Sequence, residues 1–167
     1  FYGTTSFNQP LNQWNMSNVT LTNSMFEGSL FNGDIHDWNV SSVTDMSNMF
    51  ANSSFEGPLD TWNVSSVNNM SGMFANSVFN QPLENWVVSG VTDMSNMFNG
   101  SVFNQNILAW NVSNVLSMDQ MFLNNTNFNQ DLSGWCVTQI ATPPIDFDSG
   151  ATSWVLSRPC WGNCGCF

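Results

Sequence analysis

The side chains that could carry chemistry in this sequence are few, and the most reactive ones lie near its C-terminus. Four cysteines stand at positions 136, 160, 164 and 166, and the single histidine is His36. A compact group of cysteines can either ligate zinc or form disulfides. The spacing from Cys160 to Cys166 is irregular for zinc and no histidine is near, so the sequence favours disulfides.

Four cysteines allow three pairings. A bond between Cys164 and Cys166 would have to close across one residue, which is poor geometry. Of the two pairings that remain, we favour Cys136–Cys164 with Cys160–Cys166. A zinc site at Cys160, Cys164 and Cys166, and a free thiol that links subunits, stay open as alternatives.

Carboxylates offer a second possible chemistry, the binding of calcium. No Asp-x-Asp-x-Asp loop with a closing Glu is found, which argues against it. Asp45 and Asp93 are better explained as helix starts, where a carboxylate accepts from free backbone N–H groups. The candidates are Asp34, Asp37, Asp45 and Asp93, with Asp146 and Asp148 as a weaker pair.

Catalysis finds little support in the pattern. His36 is replaced by Asp60, Glu84 and Leu108 at the equivalent positions of later repeats. A carboxylate pair for glycoside hydrolysis would need acidic residues set apart from the repeat, and none stands out. We predict a protein that is not an enzyme and that uses no metal and no cofactor.

Composition narrows the partners. The chain has 167 residues and a formal charge of −11, with Arg158 as its only Lys or Arg. This excludes nucleic acid and anionic membrane surfaces, which both require clustered cations. No apolar run approaches the length of a membrane span, so we predict no membrane insertion. The 42% of hydrophobic residues are enough to form a core, and the 48 Asn and Ser residues supply uncharged polar groups that keep the protein soluble.

The elements that position these residues follow a 24-residue repeat. Tryptophans recur at positions 14, 38, 62, 86, 110 and 135, and the run from Trp38 to Phe50 returns at the same spacing. We divide the chain into a repeat region, 1–134, and a cysteine-containing cap, 135–167. The repeat region comprises a partial first coil, 1–13, and five units, 14–134. Phe1 is interpreted as the end of a truncated Met-Phe pair, so we expect further repeats or another subunit to stack on the first coil.

Each unit contains three local signals. Trp38-Asn39-Val40 alternates apolar and polar residues, which predicts a short strand. Thr44-Asp45 predicts a helix start, and Met46, Met49 and Phe50 have the spacing of one helical turn. We therefore predict a repeat solenoid of the leucine-rich-repeat type. It has a parallel β-sheet on one face, one helical turn in each 24-residue coil and a C-terminal cap tied by disulfides.

The unit W-N-V-S-x-V-T-D-M-S-x-M-F-x-x-S-x-F-N-Q resembles the repeat of the BspA-like leucine-rich repeat surface proteins, first noted in mycoplasma surface lipoproteins. The resemblance covers residues 1–135. It implies a solenoid fold, an extracellular or cell-surface location, and a binding or structural role. Val87, Leu116 and Thr22 depart from the pattern and are interpreted as variation within one array.

The repeated columns can be core or binding surface. The Trp column could stack on sugars, but it shares the phase of Val40 and is assigned to the core, as are the Met-Met-Phe triplets. Columns of Asn and Ser side chains can bond along the stack and form a neutral face, either simply solvated or able to bind a polysaccharide or another repetitive partner. The residues of this face, which we call the Asn/Ser face, are Asn39, Asn63, Asn111, Ser41, Ser65, Ser89 and Ser113.

The repeat also contains nine Asn-x-Ser/Thr sequons, which carry N-linked glycans in secreted eukaryotic proteins. Asn-Val-Ser belongs to the repeat itself, so a structural origin is the alternative. The sequons begin at Asn15, Asn18, Asn39, Asn52, Asn63, Asn69, Asn99, Asn111 and Asn124.

The sequence therefore predicts a secreted or cell-surface, non-catalytic structural or adhesive protein. It stacks head to tail on itself, forms part of a longer fibre, or contacts other surface proteins and glycans. The alternative is a binding module that recognises a polysaccharide through the Asn/Ser face.

Overall fold

The computed structural model describes residues 1–166, and these residues form a stack of 24-residue coils built from turns. Within that range no α-helix and no extended β-strand is present. Neighbouring coils meet at single parallel β-bridges, one in each coil, with the same 24-residue period. The bridged positions are Leu21, Asp45, Asn69, Asp93 and Ser117.

The main connection between coils is a run of turns, 46–53, which we call the turn ribbon; its equivalents are 70–77, 94–101 and 118–125. Alternate N–H groups of the ribbon donate to carbonyls of the next coil, and the others close local turns. The cross-coil bonds of one ribbon run from Met46 to Asn69 at 3.0 Å, Asn48 to Ser71 at 2.9 Å, Phe50 to Met73 at 2.9 Å and Asn52 to Ala75 at 2.7 Å. Each coil is thereby hydrogen-bonded to its neighbour without a regular strand.

The predicted helical turn is wrong. Asn48 and Asn52 have positive φ angles of 54° and 55°, a conformation that right-handed helix cannot contain. The N–H of Met49 bonds to the carbonyl of Met46, so the segment makes a turn with a left-handed third residue, as in a type II turn. Met46, Met49 and Phe50 still point inward and are fully buried.

The predicted parallel β-sheet, and with it the fold class of a leucine-rich-repeat-like solenoid, is also wrong. The chain after Trp38 does not extend, because Asn39 folds back to accept from the N–H of Ser41 at 3.2 Å. Apart from the single bridges, the described residues contain no parallel strand pairing. The alternation in the sequence therefore reflects two buried side chains, Trp38 and Val40, that flank the exposed Asn39.

The core consists of aromatic columns that run through the stack. Trp38 stacks on Trp62 with ring centroids 6.1 Å apart, and Phe50 stacks on Phe74 at 5.8 Å. A second Phe column lies beside the first, with Phe55 4.5 Å from Phe50. Only 3% of the surface of Trp38 is exposed, so the assignment of the Trp column to the core is confirmed.

The C-terminal segment continues the turn ribbon with a different sequence. N–H groups of Gln120, Phe122 and Asn124 donate to carbonyls of Ile145, Phe147 and Ser149, at 2.8, 2.8 and 2.7 Å. Trp154 then closes both Phe columns, with its ring edge-on to Phe122 at 5.1 Å and to Phe128 at 4.6 Å. The end of the stack is therefore covered by aromatic side chains.

Two disulfides hold this segment. They join Cys136 to Cys164 and Cys160 to Cys166, the pairs favoured from the sequence. Cys136 and Cys164 also form an antiparallel bridge between their backbones. With their sulfurs in disulfides, Cys160, Cys164 and Cys166 offer no thiolates to zinc, and no free thiol remains among residues 1–166 to link subunits.

Candidate binding face

The Asn/Ser face is built from the same local turn in successive coils. The side-chain oxygen of Asn39 accepts the backbone N–H of Ser41 at 3.2 Å and the hydroxyl of Ser41 at 2.7 Å. Asn111 and Ser113 repeat both bonds, at 3.2 and 2.8 Å. Such an Asx turn fixes the asparagine side chain and directs its NH2 group away from the bonded oxygen.

These asparagines are exposed, as a binding role requires. Asn39, Asn63 and Asn111 present their side chains to solvent, and only their Oδ1 atoms are hydrogen-bonded within residues 1–166. The hydrogen bonds between Asn39 and Ser41 lie within one coil. The hydroxyl of Ser66, in the next coil, donates to the backbone carbonyl of Ser41 at 2.7 Å. The face displays a column of oriented amide donors.

The column is interrupted at Val87, which stands where the other coils have Asn. Val87 is 56% exposed and lies beside a shallow depression of about 340 Å³. Glu84, Ala109 and Asn111 also line this depression, which therefore combines apolar and hydrogen-bonding groups. The backbone carbonyl oxygen of Ser89 accepts a hydrogen bond from the Nδ2 of Asn114 at 2.8 Å.

A second asparagine column was missed in the sequence reasoning. In it, each side-chain oxygen accepts the backbone N–H of the equivalent residue in the next coil, at distances from 2.7 to 2.9 Å; we call it the Asn ladder. The signal for it in the sequence is the recurrence of Asn directly after Phe, as in Phe31-Asn32, Phe79-Asn80 and Phe103-Asn104. The bonds join Asn8 to Asn32, Asn32 to Glu56, Asn80 to Asn104, Asn104 to Asn129 and Asn129 to Val155.

The nine sequon asparagines lie at the surface to different degrees. Asn69 and Asn99 are half-buried, and Asn99 donates to the side chain of Asn96 at 2.9 Å. The exposed ones are Asn15, Asn18, Asn39, Asn52, Asn63, Asn111 and Asn124. The face that would bind a partner and the face that would carry glycans therefore share three asparagines.

Comparison with known proteins places the repeat in a family. A family model described as "Mycoplasma protein of unknown function, DUF285" matches residues 1–101 and 76–154. The chain belongs to this family. No curated protein and no solved structure matches it significantly. The match supports membership of this family, and it does not by itself support the more specific assignment to the BspA-like leucine-rich repeat proteins.

Within this DUF285 protein, several of the carboxylates considered as calcium ligands have structural partners. Asp45 and Asp93 each accept the backbone N–H of the serine two residues on, at 2.8 Å, and so they start turns rather than helices. Asp148 pairs with Arg158 at 2.8 Å. No cluster of three His, Cys, Asp or Glu side chains suited to a metal occurs in residues 1–166.

His36 lies between carboxylates of two coils of the DUF285 stack. Its Nδ1 is 3.4 Å from Asp37 and its Nε2 is 3.6 Å from Asp60. Among residues 1–166 no hydroxyl or thiol is hydrogen-bonded to the imidazole, since the hydroxyl of Thr61 donates to the backbone carbonyl of His36, and the cysteines are all in disulfides. Within the described part of the chain, no helix has the length and hydropathy required to cross a bilayer.

Proposed function

We propose that this protein is a non-catalytic structural and adhesive module of the cell exterior, related to the BspA-like surface proteins. The observation that carries the proposal is the recurrence of one exposed Asx turn, at Asn15, Asn39, Asn63 and Asn111, with closely similar hydrogen bonds. Identical donors on successive coils suit a repetitive partner, because many weak contacts act together. The two disulfides support an oxidising, extracellular location.

The same stacking supports association between copies. Trp14 stacks on Trp38 with centroids 6.4 Å apart and lies 5.7 Å from the ring of Phe1, and 48% of its surface remains exposed. A further aromatic layer on Trp14 would repeat the contact that buries every inner tryptophan. A second copy stacked head to tail would cover Trp14 with its C-terminal cap, whose exposed apolar side chains include Val155 and Leu156, and a contact of this kind extends into filaments.

Sedimentation velocity over a wide concentration range, with negative-stain microscopy of the same samples, tests this association. We expect assembly that grows with concentration and that weakens in the variant Trp14→Ala. The matched control is Leu116→Ala, which removes another exposed apolar side chain away from the first coil and leaves assembly unchanged. A monomer at every concentration contradicts self-stacking.

Recognition of a polysaccharide is the second candidate, and the depression beside Val87 favours it. Sugars present hydroxyls, which match the polar side chains of Asn111 and Glu84, and apolar ring faces, which match Val87 and Ala109. We infer that the outward NH2 groups of the Asn/Ser face donate to these hydroxyls.

The test replaces Asn39, Asn63 and Asn111 by Asp, which keeps the oxygen required by the Asx turn but removes the NH2 donor. Retention on immobilised neutral polysaccharides should fall, whereas the thermal midpoint changes little. A control with the same added charge replaces the exposed Asn68, Asn124 and Asn127 by Asp. Equal retention of the two triple variants contradicts recognition through this face.

Glycosylation of the exposed sequons outside the Asn/Ser face is part of the same proposal. Glycans at Asn39, Asn63 and Asn111 would cover the Asn/Ser face, so adhesion through it requires these sites to be free. The intact mass of the secreted, non-reduced protein, before and after enzymatic glycan removal, decides this. A glycan on all three asparagines contradicts adhesion through the Asn/Ser face.

A further inference from the structure

We propose that Asn32 is a site of spontaneous deamidation and that it is set apart from every similar site in the chain by one missing hydrogen bond. Deamidation begins when the backbone nitrogen of the following residue attacks the side-chain amide carbon of Asn. It is fastest when that residue is small, as in Asn-Gly and Asn-Ser. The attacking N–H must first lose its proton, so an N–H held by a carbonyl is protected.

The chain contains five such junctions. Two are Asn-Gly and three are Asn-Ser; they are Asn32-Gly33, Asn99-Gly100, Asn23-Ser24, Asn52-Ser53 and Asn76-Ser77. In the last four, the second residue donates its N–H to a backbone carbonyl, at distances from 2.7 to 3.3 Å. Gly33 alone donates to no acceptor among residues 1–166.

Asn99-Gly100 is the informative comparison, because it has the same two residues. Gly100 donates to the carbonyl of Leu123 at 2.7 Å as a member of the turn ribbon. The NH2 group of Asn99 is also held, by the side chain of Asn96 at 2.9 Å. Both reacting groups are therefore fixed at Asn99, whereas at Asn32 only the side-chain oxygen is held, by the N–H of Glu56, and the Gly33 nitrogen is free.

Water and base can reach the free junction. Asn32 and Gly33 line an open cavity of about 230 Å³ together with Asp34 and His36. In the reaction, the Gly33 nitrogen forms a bond to the Asn32 amide carbon and ammonia leaves, which yields a succinimide. Addition of water then opens the ring to aspartate or isoaspartate, so the only co-reactant is the solvent.

The position of Asn32 in the Asn ladder gives the reaction a structural consequence. Its Oδ1 accepts the N–H of Glu56 at 2.9 Å, and its own N–H donates to Asn8 at 2.7 Å. Aspartate retains an oxygen acceptor but adds a charge near Asp34 and Glu56. Isoaspartate lengthens the backbone by one carbon and so shifts Gly33 out of register with the coil beside it.

The experiment incubates the folded protein at pH 7.4 and 37 °C and follows each Asn-Gly peptide by mass spectrometry, with an isoaspartate-specific methylation assay. We expect conversion at Asn32 at least tenfold faster than at Asn99. In protein unfolded by denaturant, the two peptides should react at similar rates. Asn32→Gln, which would require a larger ring, should remove the signal and leave Asn99 unchanged.

Two results overturn the proposal. One is an unmodified Asn32 in folded protein under conditions where the unfolded chain reacts. The other is equal conversion of Asn32 and Asn99 in the folded state, which would show that the hydrogen bond of Gly100 does not protect.

Discussion

The indole N–H of Trp86 donates to the backbone carbonyl of Leu59 at 2.9 Å, although the two residues are 27 positions apart. The same bond recurs in neighbouring coils, from Trp62 to Ile35 at 3.2 Å and from Trp110 to Leu83 at 2.9 Å. Each tryptophan thus satisfies its buried donor on the preceding coil while its ring stacks in the column. Packing and register are therefore fixed by one side chain.

Replacement of this tryptophan separates its two roles. Trp86→Phe keeps an aromatic ring but removes the indole donor, so the carbonyl of Leu59 retains only the bond from the backbone N–H of Trp62, at 3.1 Å. We expect the free energy of unfolding to fall by about 1–3 kcal/mol, measured by urea denaturation. Trp14→Phe, at an exposed position, is the control and should change it by less than about 0.5 kcal/mol. Equal effects at the two positions would contradict the role of the bond.

The turn ribbon predicts a conformational preference at Asn48. Its positive φ disfavours residues with a Cβ other than Asn and Asp, and the equivalent residue of the next coil is Gly72, with φ of 62°. Asn48→Ala should therefore cost about 1–2 kcal/mol in thermal or urea unfolding. Asn48→Gly should remain close to the parent protein. The opposite order would show that the segment is not a left-handed turn.

The burial of the aromatic columns could be predicted from the sequence, whereas the conformation of the turn ribbon was predicted wrongly. The 24-residue period predicts the columns, and the shared phase of Trp38 and Val40 predicts their burial. The predicted helical turn was wrong because buried residues at positions i, i+3 and i+4 are compatible with two linked turns as well as with one turn of helix. The recurrence of Asn or Gly at position 52 and its equivalents, all of which have positive φ, is the signal that distinguishes them.

The Asn/Ser face illustrates a second limit. Asn-x-Ser was interpreted as a strand with polar residues or as a sequon, yet its physical role is an Asx turn. The Asn ladder could not be derived from the residues of a single coil, because each bond joins residues of different coils. Only the alignment of coils brings Asn80 and Asn104 together.

The disulfides make a prediction for the cap. Cys136 and Cys164 are 28 residues apart and Cys160 and Cys166 only six. Because the longer loop loses more entropy when it is closed, Cys136→Ser with Cys164→Ser should destabilise the protein by about 3–4 kcal/mol. Cys160→Ser with Cys166→Ser should cost less. Non-reduced peptide mapping checks the pairing, and a cross-link from Cys136 to Cys160 or Cys166 would contradict it.

Asp131 gives a prediction for pH. Hydrogen bonds from the backbone N–H and then the hydroxyl of Ser133 lower the pKa of this carboxyl below its ordinary value of 3.8. Its contribution to stability is present above that value and is lost as the pH falls through the lower pKa of the folded state. Carboxyl-carbon NMR titration should show the depressed midpoint, and Ser133→Ala should raise it. Because the variant keeps the backbone N–H, an unchanged midpoint would exclude the hydroxyl of Ser133 as a contributor.

Hydrogen exchange of the indole N–H groups, followed by NMR, tests the stacked register most directly. The account predicts slow exchange for Trp38, Trp62, Trp86, Trp110 and Trp135, whose indoles each donate to a carbonyl one coil earlier, and fast exchange for Trp14. Uniformly fast exchange of all six would show that the tryptophans do not form a buried, hydrogen-bonded column and would contradict the account.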